Sequence, residues 1–110
     1  MTMRASLPGW PRGRSRKGVA LSEVAALTWP DPRWAGTADE AADRANTRRA
    51  GRALITAAFF TKLGGGYADP AVDVIGDLLG DLMHAADALG AEFPELLGRA
   101  QRRYEEELDG

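Results

Sequence analysis

The stretch DVIGDLLGDLMHAADALG, from Asp73 to Gly90, sets Asp73, Asp77, Asp81, His84 and Asp87 at intervals of four, four, three and three. Carboxylates and an imidazole so spaced can hold a divalent metal, relay a proton or dock a basic surface. Advancing about 100° per residue from Asp73, Asp77 falls near 40°, Asp81 near 80°, His84 near 20° and Asp87 near 320°. They share one helical face. By the same count Val74, Leu78, Leu82, Ala85 and Leu89 fall between about 100° and 180°, and Ile75, Leu79 and Ala86 between about 200° and 240°. The expectation is that Val74, Ile75, Leu78, Leu79, Leu82 and Leu89 build the core and the acidic stripe points outward. Gly76 and Gly80 on its flank would admit a close neighbour.

Asp81-Leu-Met-His84 has the carboxylate-x-x-histidine spacing of helical two-metal sites, which need two such pairs and further carboxylates aimed inward. The chain has one histidine. Only a homodimer burying the stripe would complete such a site, so no metal is assigned, with Asp81 and His84 as its weak candidates. The preferred reading of Asp73, Asp77, Asp81, His84 and Asp87 is a solvated or salt-bridged acidic face, able to dock on a basic partner.

Other chemistries lack parts. A metal-dependent all-α nucleotide pyrophosphohydrolase would hold magnesium on acidic pairs from neighbouring helices. Only Glu40-Ala-Ala-Asp43 and the Asp73, Asp77, Asp81 ladder offer themselves, and helix N-termini gather acids for dipole reasons alone. KLGGGY lacks the Lys-Ser/Thr and preceding strand of a phosphate loop. Cysteine is absent, and Ser6, Ser15 and Ser22 all lie near the start of the chain. No catalytic residue and no cofactor is assigned, and an enzyme is the disfavoured class.

The cations sit elsewhere. Residues 1–62 carry eleven Lys/Arg against five acids and residues 63–110 three against eleven, or +6 and −8 within a formal net charge of −2. Arg12, Arg14, Arg16 and Lys17, beside a Trp10 able to stack on a base, and the row Arg44, Arg48, Arg49, Arg52 are candidates for a nucleic acid or an acidic partner. Against nucleic acid stand the acidic second half and the lack of a helix-turn-helix spacing or zinc motif. The Arg row is also positioned to pair with the Asp stripe. Trp29 and Trp34 in WPDPRW either fold back on the helices or anchor a partner.

These residues must be positioned by an all-α domain of three helices, over about 37–63, 69–89 and 94–108, behind a largely extended, partly disordered arm over 1–36. Thr37-Ala-Asp-Glu40 is a capping box that opens the first helix, and Gly64 closes it. Gly51 inside it implies a bend or close contact. Asp69-Pro70 opens the second helix with Asp69 as cap. The third places Leu96, Leu97, Ala100, Tyr104 and Leu108 on one stripe, pairs Glu95 with Arg99, and is expected to fray at its acidic end. Within the arm, a short turn of helix over Ser22–Leu27 with Ser22 as cap is allowed.

At 110 residues the chain makes one domain with a core near the marginal size, which favours oligomerisation or partner binding. No apolar run nears the roughly 18–20 residues of a membrane span. The basic start, broken by Pro8, Gly9, Pro11 and Gly13, has no apolar segment behind it and reads as the tail of a cytoplasmic protein.

DLLGDLMHAADALGAEFPELLGRAQRRYEEEL, with the Arg- and Ala-rich segment before it, resembles small uncharacterised proteins of bacterial, phage and plasmid genomes. The shared pattern is D-L-L-x-D-L-M-H-x-x-D followed by F-x-x-x-L-x-x-A-x-x-x-Y-x-x-E. It covers roughly residues 40–108 and rests on Asp77, Asp81, Met83, His84, Asp87, Phe93 and Tyr104. The resemblance implies a mobile-element setting, no assigned activity, and a core role for Phe93 and Tyr104. The expected function is therefore non-enzymatic binding of a macromolecule, as an adaptor or inhibitor with a protein partner and a possible homodimer. The alternatives are nucleic-acid binding and the pyrophosphohydrolase.

Overall fold

The structure, a computed structural model, describes residues 3–28 and 41–109, apart from the side chains of residues 28, 41 and 42. Among them are four helices: α1 (Leu21–Thr28), α2 (Ala41–Gly64), α3 (Ala71–Ala88) and α4 (Phe93–Leu108). No strand is present among the described residues, and one isolated bridge joins Ala20 to Pro70. The all-α class holds. The expected count of three does not, because α1 forms inside the segment read as an arm.

An eight-residue helix is too short to be stable alone in water, so packing must hold it. Leu21, Val24 and Ala25, spaced to share one face, are buried. The start is held from across the chain, where Leu21 N–H donates to the Asp69 carbonyl at 2.8 Å and Ser22 N–H to the Tyr67 carbonyl at 2.9 Å. Ser22 is thus inside the first turn and is not the cap.

Leu21, Val24, Ala57, Ala71 and Val74 form the central cluster, with Leu7, Trp10, Val19, Leu54, Ala58 and Phe60 packed on it. Residues on both sides of position 36 therefore share one core. Beside it lies a polar junction. Thr47 is fully buried, and its Oγ1 accepts from Ser6 N–H at 2.9 Å. The Asn46 amide donates to the carbonyls of Met3 and Glu107, and its Oδ1 accepts from Arg49, which also pairs with the Glu107 carboxylate.

Two terminal details differ from expectation. Asp69 makes no side-chain cap bond to α3, whose cap position is Pro70. The chain instead enters α3 through a turn closed by Asp69 N–H on the Gly66 carbonyl and by Ala71 N–H on the Val19 carbonyl. The acidic end of α4, expected to fray, is helical to Leu108. Its Glu107 and Leu108 carbonyls, orphaned by the helix, accept from Asn46 and from Met3 N–H at 2.9 Å each. The start expected at Thr37–Glu40 lies outside the described residues. The other end of α2 falls at Gly64 as expected, followed by Gly65 and Gly66 in the left-handed region at φ 84° and 100°.

Candidate interaction face

Helix α3 buries only Ala71, Val74 and Ala86. The first two meet the core, and the third lies where the chain turns back, with Ala91 N–H on its carbonyl at 2.9 Å. Between these ends the helix is lightly covered. Val72, Ile75, Leu79, Leu82 and Met83 are exposed, and so is Leu89 just beyond, while Leu78 is half-buried. The expectation that Ile75, Leu79, Leu82 and Leu89 build the core is therefore corrected. The physical reason is where the partners lie: α1 and α2 meet Ala71 and Val74 in the first turns of α3 through Leu21, Val24 and Ala57, and no later residue of α3 joins that cluster among the described residues.

Helix α4 buries no residue at all. Leu96, Leu97 and Tyr104 are exposed, whereas Phe93 and Leu108 are half-buried. The core role implied for Tyr104 fails, since Tyr104 lines only a shallow cavity of about 270 Å³ with Asn46, Arg49 and Leu108. The expected Glu95–Arg99 pair is not formed, and both side chains are exposed. Together α3 and α4 present an apolar face that the described residues of the protomer do not cover.

The acidic stripe lies where the helical count puts it. Asp73, Asp77, Asp81, His84 and Asp87 are all exposed, and their side chains make no hydrogen bond or ion pair among the described residues. No three His, Asp or Glu among those residues are grouped to hold a metal ion. Gly76 and Gly80 meet nothing: a Cβ added at either would find no atom within 4 Å. Of the acids expected for a pyrophosphohydrolase, Glu40 lies outside the described residues. Asp43 is half-buried with an unpartnered buried Oδ1.

The cations do not pair with the stripe. Arg48, Arg49 and Arg52 are exposed on α2, where Arg49 is engaged with Glu107 of α4; Arg44 is half-buried and has a partner. Gly51 beside them is buried. Arg12, Arg14, Arg16 and Lys17 are exposed. Arg14 forms an ion pair with Glu23 at 2.6 Å and stacks over Trp10 at 4.2 Å, so the indole expected to meet a base is already covered on one face. Its Nε1–H donates to the Arg14 carbonyl at 3.0 Å. Arg12, Arg14 and Arg16 line an open cavity of about 520 Å³ that also takes in Trp10 and Asp43. Trp29 and Trp34 lie outside the described residues.

Two features escaped the sequence reading. Met83 and Val72 extend the exposed apolar stripe, at about 280° and 260° on the wheel used above, between the presumed core side and Gly76 and Gly80. Asn46 and Thr47 carried no motif, but polar side chains inside an Ala-rich helix are a signal for a buried junction. Comparison with family models, with curated proteins and with solved structures finds no match for the chain.

Proposed function

We propose that this is a small non-enzymatic binding protein whose working surface is the apolar face of α3 and α4. The observation that carries the reading is the exposure of Ile75, Leu79, Leu82 and Met83 on α3 beside Leu96, Leu97 and Tyr104 on α4. Scattered apolar residues on a surface need no explanation, but this many large ones on two successive helices mark a protein–protein contact. The setting of the titratable stripe supports binding over catalysis. The stripe of α3 stands in solvent, and its histidine is the only one in the chain.

No helix among the described residues is long and apolar enough to cross a membrane. A cytoplasmic setting and a bacterial or mobile-element origin belong to the proposal, supported by the cysteine-free composition and by the resemblance carried by α3 and α4.

The test is affinity capture from the native host with the full chain and with Leu79→Glu as parallel baits. A protein, or another copy of this chain, held by the first and lost from the second supports the reading. Equal capture by both baits contradicts it.

A second reading, nucleic-acid binding, is favoured by one observation: Arg12, Arg14 and Arg16 converge on one open cavity. Phosphate contacts of this kind weaken steeply with salt. Retention on DNA and RNA at low salt, lost in an Arg12→Ala, Arg16→Ala variant, would support it; salt-independent behaviour would remove it.

A further inference from the structure

We propose that the occupant of the α3–α4 face is a second copy of this chain, with α3 of one protomer against α4 of its partner and the reverse. This rests on the reading of that face as a binding surface and names its partner. Three observations lead to a copy of the chain itself.

The first is the area. Nine large apolar residues from Val72 to Tyr104 on α3, its C-cap and α4 are between 38% and 84% exposed. At roughly 100 Å² each they leave on the order of 800–900 Å², above the about 300–600 Å² of an ordinary monomer's largest patch. It matches the about 800 Å² that each side of a stable interface buries.

The second is the thinness of the protomer's own core. Among the described residues the buried apolar side chains are Leu21, Val24, Val74 and four alanines. A domain with so little burial is marginal alone, and oligomerisation is the usual remedy. A partner that comes and goes would leave the chain without that burial for part of its life, whereas a second copy is present whenever the chain is.

The third is charge. Helix α3 carries four aspartates and no Lys or Arg, and α4 carries Arg99, Arg102 and Arg103 together with Glu95, Glu105, Glu106 and Glu107. None of the aspartates of α3 or the arginines of α4 forms an ion pair among the described residues. On a wheel of about 100° per residue, Asp87 flanks the exposed stripe of α3 beside Gly76 and Gly80, the other aspartates lying farther round, and Arg99 and Arg103 flank the stripe of α4. Setting α3 on the partner's α4 brings Asp87 toward Arg99 and Arg103 twice, as a two-fold axis requires. Setting α3 on α3 would oppose like charges. Gly76 and Gly80, which cost helix stability and leave open space where a side chain would stand, give the partner helix its close approach.

The test is the mass of the full chain by sedimentation equilibrium over a dilution series, with two charge-reversed variants. One carries Asp87→Lys, the other Arg99→Glu with Arg103→Glu. The wild type should reach twice the 11.8 kDa chain mass. Each variant alone should associate roughly tenfold or more weakly. Mixed in equal amounts they should recover a dimer, because both helix pairs are then oppositely charged. A rescue by mixing also shows that neither variant is merely unfolded. A wild type that stays monomeric at every concentration overturns the inference, and so does a dimer that both variants leave untouched. A monomer whose Leu79-dependent capture of a different protein persists would overturn the self-pairing while leaving the binding face in place.

Discussion

Val74 and Leu82 stand on the same helix about two turns apart, yet Val74 is 3% exposed and Leu82 46%. Helix α3 is thus divided along its length: its first turns are anchored in the core by Ala71 and Val74, and its middle offers leucines to solvent. Core and surface residues on this helix should answer differently to truncation.

Leu21→Ala should cost about 2–5 kcal/mol, since Leu21 is fully buried in the central cluster and its truncation leaves a cavity there. Leu82→Ala should cost little in dilute protein and more as the concentration rises, because its burial comes from association. Urea melts of both variants at several protein concentrations check this. A Leu82→Ala penalty independent of concentration would place that residue in the protomer's own core.

Asn46→Ala should destabilise by about 1–3 kcal/mol, because carbonyls of Met3 and Glu107 lose their donor in a half-buried setting. Hydrogen exchange should then speed up at the amides of residues 3–6 and 105–109 together while α3 keeps its protection. Uniform acceleration across the chain would mean that Asn46 supports the whole fold rather than this junction.

Thr47→Val keeps the shape but strands the Ser6 N–H that Thr47 Oγ1 accepts. A loss of about 1–2 kcal/mol is expected, with Thr47→Ser recovering much of it. Thermal melts of the pair distinguish the lost hydrogen bond from the lost methyl group.

Asp81→Asn with His84→Gln should leave helicity and the thermal midpoint unchanged, since both residues are exposed and unpartnered. Titration calorimetry with zinc or manganese checks the companion expectation, that the wild type and this variant behave alike. A tight metal site present only in the wild type would return the stripe to metal chemistry.

The acidic stripe was legible from spacing alone because exposure of Asp73, Asp77, Asp81, His84 and Asp87 needs only a helix with one apolar side. What covers that side is a different matter. Periodicity shows that Ile75, Leu79 and Leu82 avoid water but cannot say whether the cover is the chain's own helix or another molecule, and the core reading was wrong for that reason. The interval over 94–108 was read to within a residue of α4, because Pro94 sets its start and its apolar stripe its length. Helix α1 was read only as a possible turn within an arm: eight residues carry little periodicity, and its stability comes from distant groups such as the Asp69 and Tyr67 carbonyls. The Asn46–Glu107 contact joins residues far apart in sequence and left no local trace.

The chain has no cysteine, so single cysteines report on one site each, and this gives the most direct test of an occupied α3–α4 face. Leu79→Cys and Asp81→Cys place thiols at exposed positions of the protomer, one on the apolar stripe and one on the acidic face. Maleimide labelling of the native full chain should be fast at position 81 and slow at position 79, and the difference should shrink on dilution. Equally fast labelling at both positions, at every concentration and in host extract alike, would show that the face stays bare and would contradict the account.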